Sequence, residues 1–112
     1  MEQIKCGYCK QCPFKKSTKV IDFKGYINPA DIPELMITDF YMPCINSVPD
    51  DVDITREGLE RFVRTKAIHV CRGYLMAIHN SGLVPEDKRL REWVKTALTL
   101  GNPEQFRNID DF

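Results

Sequence analysis

Along residues 55–80, apolar side chains recur at three- and four-residue spacing: Leu59, Phe62, Val63, Ala67, Val70, Tyr74, Ala77 and Ile78. A single stripe of that period predicts an amphipathic helix. Thr55 is a candidate N-cap, with Asp53 the alternative. Ser81-Gly82 stops the helix, because glycine accepts the left-handed conformation of a C-terminal cap. Cys71 falls in line with Ala67, Tyr74 and Ile78 at the edge of the stripe, which aims it at the protein body. Arg61, Arg72 and His79 fall on the opposite, solvated side. Gly73 stands inside this helix, where glycine costs roughly 1 kcal/mol relative to alanine. Close approach of another segment is the expected compensation.

A second helix is predicted over residues 85–100. Pro85 and two acids open it, Leu90, Trp93, Val94, Ala97 and Leu98 form its apolar face, and Gly101 closes it. Asn102-Pro-Glu-Gln105 resembles a capping box and starts a last short helix. The tail that follows is either mobile or docked through Phe112.

The first half is less regular. Gly7, Pro13 and Gly25 punctuate residues 1–26, with a short strand expected at Val20-Ile-Asp-Phe23. Asn28-Pro29-Ala-Asp31 reads as a turn or helix start, leading to a short helix at Glu34-Leu-Met-Ile37. Phe40-Tyr-Met-Pro-Cys44 is apolar, and Pro43 pushes Met42 toward an extended conformation. Residues 46–53 carry turn chemistry. The expected fold is one mainly α domain over residues 1–112. An irregular cysteine-rich half (1–53) packs on an antiparallel helix pair in the helical half (54–112).

Charge alters this picture only locally. The chain of 112 residues holds 16 Lys+Arg and 16 Asp+Glu. Six lysines lie within residues 1–26, and six acids with no Lys or Arg lie within 27–53. A dedicated nucleic-acid binder carries a clear positive excess, so nucleic acid is not an expected partner of the chain alone. No apolar h-region is visible at the start, and no apolar run approaches the roughly 20 residues that span a bilayer. The expectation is a cytoplasmic protein with no membrane association.

The chemistry lies in the cysteines. Cys6, Cys9 and Cys12 recur at intervals of three, Pro13 follows, and Cys44 and Cys71 lie far down the chain. Three thiols in seven residues are hard to explain as packing, although Cys44 or Cys71 alone would pass for small core hydrophobes. An odd count fits a disulfide framework poorly. Four thiolates close either a zinc site or an iron–sulfur cluster. Structural zinc favours two close pairs. One close run with remote cysteines, and proline after a ligand, is more usual for a [4Fe–4S] cluster. The cluster is therefore the first expectation and one structural zinc ion the alternative. His69 and His79 are weaker substitutes. A thioredoxin-like role for Cys9-x-x-Cys12 lacks the βαβ pattern that such a role requires.

Cys9-x-x-Cys12-Pro13-Phe14-Lys15-Lys16 resembles the signature of a small cysteine-rich domain of phages and bacteria. In that family Cys-x-x-Cys-Pro-aromatic-Arg is followed by a Gly-aromatic step, a mid-chain Cys-His and a late Cys-x-Gly-aromatic. Gly25-Tyr26, Cys44 and Cys71-Arg-Gly73-Tyr74 match the later pieces. The resemblance implies Cys9, Cys12, Cys44 and Cys71 as the ligand set, with Cys6 a possible fifth candidate. Ile45 stands in place of the family's histidine and Lys15 in place of its arginine. The Cys-x-x-Cys-Pro segment is also similar to the centre of the WhiB-like [4Fe–4S] regulators, which bind a sigma factor.

These features frame three readings. The first is a non-enzymatic metal- or cluster-binding regulator of phage or bacterial type, acting by contact with a host protein complex such as the transcription machinery or a defence system. The second is an iron–sulfur electron-transfer protein. The third is a zinc-stabilised nucleic-acid-binding module, for which Lys10, Lys15, Lys16 and Lys19 are the compact cations. A metal-independent enzyme is disfavoured, because no phosphate loop or nucleophile motif is present.

Overall fold

The computed structural model describes residues 12–17, 27–43 and 70–112. They form a small helical domain of three α-helices and several single turns of 3-10 helix. Among the described residues β-structure is limited to two isolated bridges, Lys15 with Phe106 and Pro43 with Val70. The strand expected at residues 20–23 lies outside the described residues.

Asn28 caps the first element, its side-chain oxygen accepting from the Ala30 N–H at 3.0 Å. The 3-10 turn Pro29–Asp31 then runs into α1, Ile32–Ile37. Pro33 is tolerated because the first helical turn needs no intrahelical N–H bond. Asp39 adopts φ 60° just past the helix. The Phe40 N–H reaches back to the Leu35 carbonyl at 3.1 Å, the six-to-one bond of a Schellman cap.

The helix expected over residues 55–80 is corrected at its described end. Helix α2 is Arg72–Asn80. Val70 pairs with Pro43, and the Cys71 N–H donates to the Met42 carbonyl at 2.8 Å. Cys71 is thus the extended N-cap residue, with φ −71° and ψ 113°. The Cys71 N–H is taken up by the neighbouring segment, while its carbonyl accepts from the Leu75 N–H at 3.3 Å, so tertiary pairing overrides the helical period. Residues 55–69 lie outside the described residues. The predicted stop is found as expected: Gly82 has φ 72°, and the Leu83 N–H bonds to the Ile78 carbonyl at 3.2 Å.

Helix α3 is Lys88–Leu100, three residues shorter at its start than expected. Asp87 displaces Pro85 as the opening residue, because its carboxylate accepts from the Arg89 N–H at 3.0 Å and makes the N-cap. Leu90, Trp93, Val94 and Ala97 are buried, and Leu98 packs half-buried against them. Helices α2 and α3 pack against each other. Asp39 Oδ2 accepts from the N–H groups of Glu86 and Asp87, at 3.1 Å each. Tyr41 donates to Asp87, and its ring meets that of Trp93 edge-on at 5.3 Å.

The C-terminal segment is docked. Asn102 caps the turn Pro103–Gln105, while the full capping box falls at Asn108 and Asp111, flanking the turn Ile109–Asp111. Phe106 is buried, and the Phe112 ring lies 5.3 Å from that of Phe14.

Candidate functional site

Cys12 opens a tight turn in which the Lys15 N–H donates to the Cys12 carbonyl at 3.0 Å. Pro13 takes the second position, where its fixed φ suits a type I or II turn. The turn is strapped to the C-terminal segment. Lys16 N–H donates to the Gln105 carbonyl at 2.9 Å, and Arg107 N–H to the Phe14 carbonyl at 2.7 Å. Arg107 Nε donates to the Pro13 carbonyl at 3.1 Å. Phe14 is fully buried and meets Tyr74 edge-on, with ring centroids 5.7 Å apart.

The strap is in turn tied to α2. At the last residue of that helix, Asn80 Nδ2 donates to the carbonyls of Pro103 at 2.7 Å and Phe106 at 3.0 Å. A longer contact of 3.4 Å reaches the carbonyl of Arg107. The register of residues 103–107 is thereby set by α2, and that register sets where Cys12 lies.

Its partner is Cys71, at the other end of the same helix. The two sulfurs are 3.6 Å apart, across 59 residues of sequence. Cys12 is 5% exposed and Cys71 3%. The separation far exceeds the roughly 2.05 Å of a disulfide, so the thiols touch without being bonded. Gly73 makes room for this contact. A Cβ there would meet Cys12 Sγ at 2.6 Å and Phe14 Cβ at 2.9 Å. The segment expected to approach Gly73 is therefore the Cys12–Phe14 turn. Gly73 is the second residue of α2, not an interior residue of a longer helix.

Of the predicted ligand set, Cys12 and Cys71 are brought together. Cys9 and Cys44, with the fifth candidate Cys6 and with His69, lie outside the described residues. His79 is exposed, on the solvated side as expected, whereas Arg72 is half-buried. Among the described residues no group of three or more His, Cys, Asp and Glu is placed to hold a metal ion. No helix among them is long and apolar enough to cross a membrane.

Asn80, Phe106 and Arg107 position Cys12, and sequence reasoning did not nominate them. One signal was available: Phe106 is an isolated aromatic in a polar tail. The roles of Asn80 and Arg107 depend on contacts across 23 to 94 residues, which no local pattern encodes. No family model matches the chain, nor does any curated protein or solved structure.

Proposed function

We propose that this chain is a small metal-stabilised binding module, not an enzyme. Cys9, Cys12, Cys44 and Cys71 supply thiolates to one site, which fastens the N-terminal and middle segments to the start of α2. The observation that carries this reading is the 3.6 Å separation of Cys12 Sγ and Cys71 Sγ. Tetrahedral zinc with Zn–S bonds of about 2.3 Å holds its thiolates about 3.8 Å apart. In a cubane cluster each cysteine takes a different iron, which spreads the sulfurs wider than one shared ion does. The distance therefore favours zinc over the [4Fe–4S] cluster that the cysteine spacing alone suggests. Chain connectivity supports the remaining ligands. Cys44 follows Pro43, which is paired with Val70 beside Cys71, and Cys9 is three residues before Cys12.

The thiolates would be structural, consistent with the burial of Cys12 and Cys71. Function then rests on the surface they hold in shape, and the partner we propose is a protein complex of the phage or bacterial host. Ile37 and Val84, 65% and 78% exposed, are apolar anchors suited to such contact. The test is metal analysis with an absorbance spectrum on protein purified without oxygen. The expected result is a colourless protein with one zinc per chain. A brown protein absorbing near about 400 nm with inorganic sulfide would replace zinc by the cluster, and absence of both would overturn the reading.

A further inference from the structure

The Cys12–Cys71 pair has a second capability that does not require a metal. We propose that it is a redox-modification site, at which a hydroperoxide joins the two sulfurs into a disulfide. The sulfurs already touch at 3.6 Å, and a bond requires them to close by about 1.6 Å. Gly73 leaves no side chain between the turn and the helix.

The chemistry balances with the peroxide as the only added reagent. One thiol sulfur attacks the terminal peroxide oxygen. The O–O bond breaks, a sulfenic acid forms, and the alcohol or water derived from the peroxide leaves with a proton. The second sulfur attacks the sulfenic sulfur, the S–S bond forms, and the S–O bond breaks to release water. Two electrons pass from the thiols to the peroxide. The two sulfurs are in contact and little exposed, so the neighbouring cysteine resolves the sulfenic acid before a bulky thiol reaches it. The same sulfurs cannot both bind an ion and form this bond, so oxidation would also empty the proposed centre. The cross-link itself rests only on the sulfur geometry.

The test treats the full chain with hydrogen peroxide, in zinc-loaded and chelator-stripped forms whose metal content is measured first. Remaining thiols are alkylated in denaturant and the chain is cut with trypsin. Cleavage after Lys10, Lys15, Lys66 and Arg72 places Cys12 and Cys71 in separate peptides, residues 11–15 and 67–72, each with a single cysteine. The expected product is these two peptides joined with the loss of two hydrogens, and separated by dithiothreitol. In urea the preference should reverse toward Cys9–Cys12, because the short loop then closes more readily. Links confined to Cys6 or Cys9, sulfinic acid on Cys12 or Cys71 in place of a link, or full alkylation of both would overturn the proposal. A cross-link in a chain that binds no metal would sink only the zinc reading. Zinc binding without a cross-link in the stripped chain would sink only this one.

Discussion

The sulfur of Cys12 lies over the Cα of Gly73, 2.6 Å from the point at which an alanine would carry its Cβ. Phe14 Cβ crowds the same point at 2.9 Å. Both neighbours belong to a buried turn held by backbone bonds, so neither can retreat cheaply. Gly73→Ala should therefore destabilise the chain by about 1–3 kcal/mol through overpacking, against the gain of up to about 1 kcal/mol that alanine offers in a helix. Urea unfolding followed by circular dichroism measures the balance. A stabilised variant would mean that the turn does not rest on α2 as described.

Metal content separates the thiols from one another. Cys12→Ser and Cys71→Ser each put a hydroxyl into a buried apolar setting, which costs about 1–3 kcal/mol without a partner. Each also removes a proposed zinc ligand. Both variants should retain less than about one tenth of the wild-type zinc after dialysis against a moderate chelator. Cys6→Ser should keep it. Equal loss from Cys6→Ser would put Cys6 in the ligand set in place of one of the four.

Much of this arrangement was legible where structure is local. The Ser81-Gly82 stop, the apolar face of α3 and the helical starts at Asn28 and Asn102 each follow from a few adjacent residues, and each is found. The approach to Gly73 was also legible, because an apparently costly glycine asks for a compensating neighbour. The start of α2 was not. Val70 and Cys71 fit the helical period, but their backbone pairs with Met42 and Pro43, far away in sequence. The same limit hid the C-terminal strap. Phe106 and Arg107 look like residues of a polar tail until the fold brings them beside Phe14.

Asp39 carries two loads at once, a left-handed backbone at φ 60° and a carboxylate oxygen shared by two N–H groups ahead of α3. Asparagine tolerates this backbone and keeps one acceptor oxygen, whereas alanine does neither. Asp39→Ala should cost about 1–3 kcal/mol, and Asp39→Asn less than half of that. Thermal melts of the two variants at equal concentration check the order. Equal melting temperatures would remove Asp39 as the link between α1 and α3.

Asn80 offers a test whose size depends on pH. Its amide nitrogen faces three carbonyl oxygens, at 2.7, 3.0 and 3.4 Å, which fixes the amide's orientation. Asn80→Ala removes these bonds and should cost about 1–3 kcal/mol. Asn80→Asp places a carboxyl against the same oxygens. The anion is repelled by them, while the neutral acid can donate one bond, so folding raises the pKa of the introduced group. For an acid raised in this way, the unfolded chain ionises first, and the penalty grows as pH rises above about 4. Relative to wild type at each pH, Asn80→Asp should be mildly destabilised near pH 4 and more so than Asn80→Ala near pH 7. The loss should extend beyond α2, because the strap released from Asn80 is the one that holds the Cys12 turn. Alkylation of Cys12 in Asn80→Asp should therefore speed up between those two pH values by more than it does in wild type. An unchanged ratio would place the hold on Cys12 elsewhere than in residues 103–107.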